Sequence, residues 1–250
     1  MAVQLKSARE IALMREAGRV AAITLLEIRD SVRPGVTTAQ LDDIAERMAA
    51  AMGAIPSFKG YNRFPASLCS SINDEIVHGI PSPQRVLHEG DIVSLDFGAI
   101  LKGYHGDAAI TVGVGHISPQ AQKLLDVTAQ ALQEAIRQVR AGNHLTDIGH
   151  AVETYAQRHG FSVVRQYVGH GIGRRMHEEP QVPNFGPPHQ GPVLKPGMVL
   201  AIEPMVNTGT EKTAVLPDKW TVVTADGGLS AHFEHTVAVT SNGPEILTLP

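Results

Sequence analysis

Apolar positions in the first fifth of the chain repeat every three to four residues, the spacing of an amphipathic helix. Ser7 and Glu10 have the pattern of a capping box, so we predict a long helix that starts there. The run Arg33-Pro34-Gly35 interrupts the pattern. A second apolar stripe after it predicts a second helix, which Thr37 or Thr38 caps.

Two later stretches have the continuous apolar character of buried strands. They cover residues 91–98 and 104–113, and the turn-forming run Leu101-Lys102-Gly103 between them predicts a hairpin. A loop with an even number of residues would place Asp96 and Asp107 on one face of the pair, directly opposite or on the diagonal. Two carboxylates at these positions would lie close enough to repel each other, so either a multivalent cation or exposure to solvent must relieve the repulsion.

The second half of the sequence repeats the first at one constant offset. Residues 87–96, ending in Asp96, align with residues 194–203, ending in Glu203 and lying 107 residues later. We predict a single domain over residues 1–250, with an internal repeat at about 25–125 and 132–245. The alternative is that two segments merely share a common strand pattern. Two halves closing over one sheet would bring the repeated acids to the centre of the fold.

The composition is that of an ordinary globular protein. The chain has 250 residues, is 43% hydrophobic and carries a net charge of −4, which argues against disorder and against a basic surface for nucleic acid or anionic membranes. One cysteine cannot form an internal disulfide, and it excludes a Cys-rich zinc module. Charged residues break up the N-terminal stretch, so we expect neither a signal peptide nor a membrane span, and a cytoplasmic protein.

Four carboxylates occupy strand contexts in which a charge is costly. Asp96 and Glu203 follow apolar runs, Asp107 lies in the predicted hairpin, and Glu234 precedes a further strand. A buried carboxylate needs a partner or a cation. The four together predict a metal site.

Three of the 12 histidines stand in small-residue or turn settings: His78, His170 and His177. The glycines that flank His170 would let the backbone approach a ligand closely. The run around His170 lacks the lysine and the spacing of a phosphate-binding loop. We expect the other nine histidines at the surface or in satisfied core positions.

These motifs together resemble a known family. They are IVHGIP at 76–81, the Asp96/Asp107 pair, YVGHGIG at 167–173 followed by HEEP at 177–180, IEP at 202–204, and FEHT at 233–236. From about residue 5 to 248 the chain resembles the type I methionine aminopeptidases of peptidase family M24, in their minimal, bacterial-type form. The resemblance implies the pita-bread α/β fold, in which two pseudo-two-fold-related halves surround a shared, curved, mainly antiparallel sheet with helices on its outer face.

The resemblance also implies a two-metal site. Its five ligands would be Asp96, Asp107, His170, Glu203 and Glu234, with Asp107 and Glu234 bridging both ions. This ligand set favours Co(II), Mn(II) or Fe(II), while Zn(II) or Ni(II) can also serve. A metal-bridging hydroxide would attack the scissile carbonyl.

By the same resemblance, His177 would contact the substrate carbonyl oxygen, His78 would lie near the scissile amide nitrogen, and Glu203 would shuttle the proton. The methionine pocket would be lined by Tyr61, Phe64, Cys69, Met176 and Trp220. Phe64 stands where the family commonly has tyrosine, and Met176 where it commonly has an aromatic residue. Cys69 has no recognisable base beside it, so we expect it in the pocket wall rather than as a nucleophile.

The implied activity is removal of the N-terminal methionine from nascent polypeptides at the ribosome, preferentially before a small second residue. The enzyme would act as a monomer with no nucleic-acid or membrane partner. One alternative is an X-Pro aminopeptidase or dipeptidase of the same fold; such relatives usually carry an extra N-terminal domain, for which we expect no room here. A second alternative is a metal-free binding protein that has lost catalysis, against which the complete ligand set argues.

Overall fold

The computed structural model describes residues 3–250, so residues 1 and 2 of the predicted domain lie outside the described residues. The described chain contains α1 (Ala8–Ser31), α2 (Thr38–Ala51), α3 (Pro119–Arg137) and α4 (Leu145–Arg158). Both predicted helices are confirmed, with capping boxes in which Ser7 caps α1 and Thr37 caps α2. None of the helices within residues 3–250 has the length and apolar character needed to cross a membrane.

The strands of the described chain are β1 (Ile55–Pro56), β2 (Cys69–Ile72), β3 (Glu75–Val77), β4 (Ile92–Leu101), β5 (Tyr104–Gly113), β6 (Ser162–Val163), β7 (Gly169–Gly171), β8 (Glu178–Val182), β9 (Val199–Ile202), β10 (Met205–Asn207), β11 (Thr213–Val215), β12 (Val222–Thr224), β13 (Ser230–His232), β14 (Glu234–Thr240) and β15 (Gly243–Ile246). Nine form an antiparallel sheet in the order β1-β4-β5-β14-β9-β7-β8, with β2 also paired to β4 and β15 to β14. Two three-stranded sheets, β13-β10-β6 and β11-β12-β3, complete the fold.

The predicted hairpin is formed by β4 and β5, joined by the two-residue turn Lys102-Gly103. Both turn residues have positive φ, 52° and 82°, as a type I′ turn requires. The even loop length places Asp96 opposite Ala109. Asp107 precedes Ala109 by two residues and so shares its face, which puts the two acids on the diagonal, one of the two predicted arrangements.

The strand that carries Asp96 is longer than predicted. It continues from Gly98 to Leu101, so Asp96 lies in mid-strand. The reason is that Phe97 and Ala99, both buried, continue the apolar alternation while the ladder with β5 runs on to the turn.

Each half packs two helices on the outer face of the large sheet. In the first half, Leu25 of α1 and Leu41 of α2 belong to one core with Val93 and Leu95 of β4. In the second half, α3 and α4 share a core with β9 and β14. Successive residues of a strand point to opposite faces, so Asp96 points away from the helices. The predicted arrangement of two halves around a shared antiparallel sheet is confirmed.

The structure repeats at the offset found in the sequence. α4 begins and ends 107 residues after α2, and β6 lies 107 residues after β1. The backbone bridge that Thr37 forms with Val86 recurs 107 residues later as well. The proposal that the chain is one domain made from two copies, residues 25–125 and 132–245, rests on these matches.

The two copies differ in the strand that carries the repeated acid. β4 is continuous through Asp96, whereas its counterpart stops at Ile202 as β9 and resumes at Met205 as β10. Glu203 and Pro204 fill the interval, and Pro204 has no N–H to donate to a neighbouring strand. Glu203 therefore lies directly after a strand end.

Candidate active site

Five neighbouring strands of the large sheet bring one acid or imidazole each to the same region. In sheet order these strands are β4, β5, β14, β9 and β7. The corresponding residues, on or directly after each strand, are Asp96, Asp107, Glu234, Glu203 and His170. The structure thus brings together all five residues that the sequence indicates as metal ligands.

The strand register explains why these side chains meet. Ala109 of β5 lies opposite Asp96 on one side and opposite Glu234 on the other, so one methyl group separates the two acids. In the second half, Ala201 of β9 lies opposite His170. Opposed residues of a ladder share a face. The two alanines therefore leave space on the face where the acids converge.

The glycines flanking His170 have a different role from the predicted one. A Cβ on Gly169 would lie 2.3 Å from the Ala201 carbonyl oxygen, and one on Gly171 would lie 2.2 Å from that of Glu179. Both glycines therefore allow close approach of neighbouring backbone rather than of a ligand, and the prediction was wrong on this point. Tight packing of β7 between β8 and β9 holds His170 in place.

The His170 imidazole faces two carboxylates. Its Nε2 lies 3.9 Å from Asp107 Oδ2 and 3.6 Å from Glu203 Oε1. Its Nδ1 lies 2.9 Å from the Gly171 carbonyl oxygen, which can only accept, so Nδ1 carries the proton. Burial, together with the nearby His177, lowers the pKa of His170 to about 3, which keeps the ring neutral. The free Nε2 lone pair is directed toward the carboxylates.

The four acids have the properties of a site built for a cation. Oδ1 of Asp96, Oδ1 of Asp107 and Oε1 of Glu234 are buried without a hydrogen-bond partner among the described residues. Burial raises the pKa of Asp107 to about 7 and that of the other three acids well above the usual range. At those three, repulsion from neighbouring acids adds to the effect of burial. Asp107, His170 and Glu234 offer ligand atoms within 4.8 Å of one another, so the donor set fits a divalent ion.

A cavity of about 180 Å³ opens onto the carboxylate cluster. Its lining contains all twelve residues predicted as ligands, catalytic groups or pocket wall, and it also contains Phe58 and Asn62. Phe58 is 7% exposed and belongs to the apolar cluster of the wall. Its proximity in sequence to Tyr61 and Phe64 was an available signal, because aromatic residues make up only 4% of the chain.

The wall of this cavity is aromatic and sulfur-rich. Phe64, Cys69 and Met176 are buried, and the Phe64 and Trp220 rings meet edge to face with centroids 5.1 Å apart. Cys69 lies opposite Asp96 in the ladder of β2 and β4, so the wall is continuous with the carboxylate cluster. Burial and the nearby Asp96 raise the pKa of the Cys69 thiol, which keeps it protonated and a poor nucleophile.

His177 lies between the carboxylate cluster and the mouth of the cavity. Its ring centroid is 4.2 Å from that of His170 and 5.3 Å from that of Tyr61. The Tyr61 hydroxyl lies 2.7 Å from His177 Nδ1. Although the His177 side chain is exposed, partial desolvation of its ring lowers its pKa, which favours the neutral form. A neutral ring that accepts the Tyr61 proton at Nδ1 carries its own proton on Nε2.

His78 is held in an unusual backbone conformation beside the cavity. Its φ is 62°, in the left-handed region, where strain is characteristic of functional positions. The rings of Tyr167 and Trp220 contact it edge to face at 5.9 Å and 6.1 Å. A Cβ on Gly79 would lie 2.1 Å from the Ser70 carbonyl oxygen, so glycine lets this loop pack against β2. Burial lowers the pKa of His78 to about 4 and keeps the ring neutral.

His232 also lies at this site. From the sequence it was one of the nine histidines expected at the surface or in core positions with satisfied hydrogen bonds. It is 1% exposed, and neither ring nitrogen has a hydrogen-bond partner in residues 3–250. Its Nε2 lies 3.9 Å from Glu203 Oε2. The expectation of a satisfied core position was therefore wrong for His232, because the neighbour it faces comes from a distant loop.

Comparison with known proteins identifies the family to which this chain belongs. Residues 12–241 match metallopeptidase family M24. The chain belongs to this family.

Named M24 relatives match over essentially the whole chain. Methionine aminopeptidase 1 of Bacillus subtilis is 55% identical over 243 residues, covering 97% of this chain and 98% of the relative. Methionine aminopeptidase 1 of Mycobacterium tuberculosis is 54% identical over 250 residues, covering 98% and 94%. The predicted resemblance is thereby confirmed.

Solved M24 structures confirm the pita-bread fold. Methionine aminopeptidase from Thermotoga maritima superposes with a TM-score of 0.98 at 43% identity and covers 100% of both chains. Prolidase from Pyrococcus furiosus has a TM-score of 0.78 at 21% identity, and the match covers 98% of this chain but 65% of prolidase. The second likeness shows the fold alone.

Proposed function

We propose that this chain is a metal-dependent aminopeptidase that removes the N-terminal methionine from nascent polypeptides, preferentially when the second residue is small. The observation that carries this proposal is an apolar cavity, lined by Phe64, Cys69 and Trp220, whose inner end is a cluster of acids and one imidazole. Full-length similarity to proteins named methionine aminopeptidase supports it.

The proposed metal site uses the five clustered side chains. Asp96, Asp107, His170, Glu203 and Glu234 would hold two divalent ions, with Asp107 and Glu234 as the bridging ligands. Four oxygen donors with one nitrogen donor favour Co(II), Mn(II) or Fe(II), and Zn(II) or Ni(II) can also use them. Bound ions of this kind lower the pKa of water and polarise a carbonyl. The protein's own groups must then orient the peptide and move the protons.

His177 is suited to stabilise the negative charge that develops on the substrate carbonyl oxygen. In the neutral tautomer whose Nδ1 accepts from the Tyr61 hydroxyl, the Nε2 proton is free to donate. A preorganised donor strengthens its interaction as charge develops on the oxygen that it faces. Tyr61, a residue of the pocket wall, in this way orients the catalytic proton of His177.

Glu203 is suited to carry the proton from the attacking water to the leaving amine. It is partly buried, and one oxygen lies 3.6 Å from His170 Nε2 while the other lies 3.9 Å from His232 Nε2. A carboxylate at the reacting centre can accept a proton and then return it. His78, neutral and held beside the cavity, would donate to the scissile amide nitrogen.

The shape of the cavity accounts for action at the chain end. An apolar wall that includes Met176 and Cys69 suits a thioether side chain, because sulfur contacts with aromatic rings are favourable. Acids at the inner end would hold the free amine of the substrate. An internal peptide bond offers no such amine, so the geometry favours an exopeptidase.

The proposed setting is a monomer that acts in the cytoplasm on polypeptide N-termini as they leave the ribosome. The net charge of −4 is not that of a nucleic-acid-binding protein, so the expected partner is the peptide itself.

The test is cleavage of defined peptides by protein stripped with a chelator and then given Mn(II) or Co(II). We expect no cleavage without metal, restored cleavage with it, and Met-Ala-Ser cut much faster than Met-Lys-Ser. Full activity of the metal-free protein would overturn the proposal.

An X-Pro aminopeptidase or dipeptidase is the second candidate, favoured by the fold shared with prolidase. An Xaa-Pro-Ala peptide in the same assay separates the two functions. Preferential cleavage of that peptide over Met-Ala-Ser would establish the second candidate in place of the first.

A further inference from the structure

A buried ion pair ties the N-terminal segment to the loop that carries His177. Lys6 Nζ lies 2.6 Å from Glu178 Oε2, and the two side chains are only 6% and 2% exposed. An ordinary surface pair such as Lys102 with Glu16 is about half exposed on both sides, 56% and 46%. The Lys6 pair is therefore desolvated, and it joins segments that are 172 residues apart in sequence.

Glu178 uses both carboxylate oxygens to shape this loop. While Oε2 accepts from Lys6, Oε1 accepts from the Arg175 N–H at 3.2 Å. Gly173 makes the arrangement possible, because a Cβ there would lie 2.6 Å from Lys6 Cε and 2.7 Å from Glu178 Oε1. His177 is the residue directly before Glu178, so the position of its backbone follows from these contacts.

Lys6 also binds the other side of the site through its backbone. Its N–H donates to the Gly197 carbonyl oxygen at 2.7 Å, just before β9, the strand that leads to Glu203. A single residue thus connects the turn before one ligand-bearing strand with the loop of His177. Lys6 is not among the residues that line the cavity.

The chemistry of the Lys6–Glu178 pair indicates that it fixes local geometry rather than adding to the overall stability of the fold. A buried ion pair gains little over an apolar pair of similar volume, but it constrains geometry because an unpaired buried charge is costly. Burial raises the pKa of Glu178, but the hydrogen bonds from Lys6 and the Arg175 N–H, together with the charges of Lys6 and Arg175, lower it by more, so the carboxylate stays ionised and paired.

We propose that the Lys6–Glu178 ion pair is a positioning device that holds His177 against the Tyr61 hydroxyl, with its Nε2 proton directed into the cavity. The inference rests on the proposed function, since it assumes that His177 serves peptide cleavage. Lys6 itself touches no substrate. Its effect on the rate must therefore pass through His177.

A double-mutant cycle on Met-Ala-Ser cleavage with saturating Mn(II) tests this. We expect Lys6→Met to lower kcat by about 10- to 100-fold, the size of effect that a small misplacement of a catalytic group produces. In a His177→Ala background the same substitution should change kcat less than twofold, because its target is gone. Mn(II) affinity, measured by calorimetry without substrate, should stay within twofold. Lys102→Met, which removes an exposed pair, is the matched control and should leave kcat unchanged.

Each result that contradicts the expectations above would overturn a specific part of the proposal. Equal losses from Lys6→Met in both backgrounds, or a loss of Mn(II) affinity, would overturn positioning in favour of general disruption. If Lys6→Met alone fails to fold, the double variant Lys6→Met with Glu178→Gln takes its place, because it leaves no unpaired buried charge. We expect this double variant to fold and to have a lowered kcat. A wild-type kcat in the double variant would overturn the inference. A His177→Ala variant with wild-type kcat would instead overturn the role of His177 in the proposed function.

Discussion

At the scale of single residues, burial sets the protonation of the site. It raises the pKa of Asp107 to about 7 and lowers that of His170 to about 3, so in the metal-free protein Asp107 is mainly neutral below pH 7 and His170 is mainly neutral above pH 3. A divalent ion would reverse this preference for the acids, since its charge stabilises the carboxylate form. The same clustering that makes the charged acids unfavourable by themselves makes the cluster compatible with a divalent ion.

Glu234→Ala is expected to weaken binding of Mn(II) by more than about 100-fold and to abolish peptide cleavage, because the proposed bridging ligand would serve both ions. Calorimetric titration with Mn(II) measures the first effect and Met-Ala-Ser cleavage the second. Asp96→Ala, which removes a proposed ligand to one ion, is the comparison. Equal and mild effects of the two substitutions would contradict the assigned bridge.

Tyr61→Phe is expected to lower kcat about 10-fold, equivalent to the free energy of one hydrogen bond, while KM changes little because the ring remains. The physical reason is that His177 loses the donor that fixes its tautomer. Tyr155→Phe on α4, remote from the cavity, is the control. An effect on KM alone would assign Tyr61 to binding and not to orientation of His177.

At the scale of elements, close contact between α1 and β5 supports the strand that carries Asp107. A Cβ on Gly106 would lie 2.4 Å from the Gly18 backbone nitrogen, and one on Gly18 would lie 2.3 Å from the Leu247 carbonyl oxygen. Only the backbone surface of glycine allows the helix to approach the strand so closely.

Gly106→Ala is therefore expected to lower the free energy of unfolding by about 1–3 kcal/mol, the usual cost of overpacking. Cleavage should fall as well, since the adjacent Asp107 would shift. Gly53→Ala is the control, because a Cβ there meets nothing within 4 Å and adds only the strain of a positive φ. Urea unfolding measures both variants, and a larger loss for Gly53→Ala would contradict the packing argument.

At the scale of the whole molecule, the site forms only when the two halves join. Asp107 of the first half exchanges hydrogen bonds with Thr236 of the second: its N–H donates to Thr236 Oγ1 at 3.0 Å, and its carbonyl oxygen accepts from that hydroxyl at 2.9 Å. The acids of both halves are thus brought onto one face by pairing across 129 residues of sequence.

The stability of the metal-free protein should fall as pH rises from 7 to 8.5. The folded-state pKa of Asp107, about 7, lies above its value of 3.8 in the unfolded chain, and the neighbouring acids are raised too. The folded state holds more protons until each folded-state pKa is passed, so the contribution of Asp107 is mostly lost between about pH 4 and 7. The fall that continues above pH 7 comes mainly from Asp96, Glu203 and Glu234, whose pKa is raised well above the usual range. Histidines with lowered pKa are neutral in both states above pH 7 and contribute little.

Urea unfolding of the metal-free protein across this pH range measures the effect. Saturating Mn(II) should remove the fall, and Asp107→Asn should reduce it in the metal-free state. A metal-free stability that is constant or rises with pH would contradict the picture of uncompensated buried acids.

Local spacing was sufficient to predict the two capped helices and the hairpin, because these depend on residues a few positions apart. The face shared by Asp96 and Asp107 followed from the even turn at Lys102-Gly103 alone. The extension of β4 beyond Gly98 was missed, because the length of a strand depends on its partner.

Side-chain chemistry in strand contexts, together with family resemblance, was also sufficient to name twelve of the fourteen residues that line the cavity. What required the tertiary structure were contacts between segments far apart in sequence: Phe58 packed with Met176, His232 facing Glu203, and Lys6 paired with Glu178. No local pattern encodes these contacts, because each depends on the path of the chain between the two residues. Residue chemistry and family resemblance therefore predicted the groups proposed to carry the chemistry, and only the folded sheet decided what holds them in position.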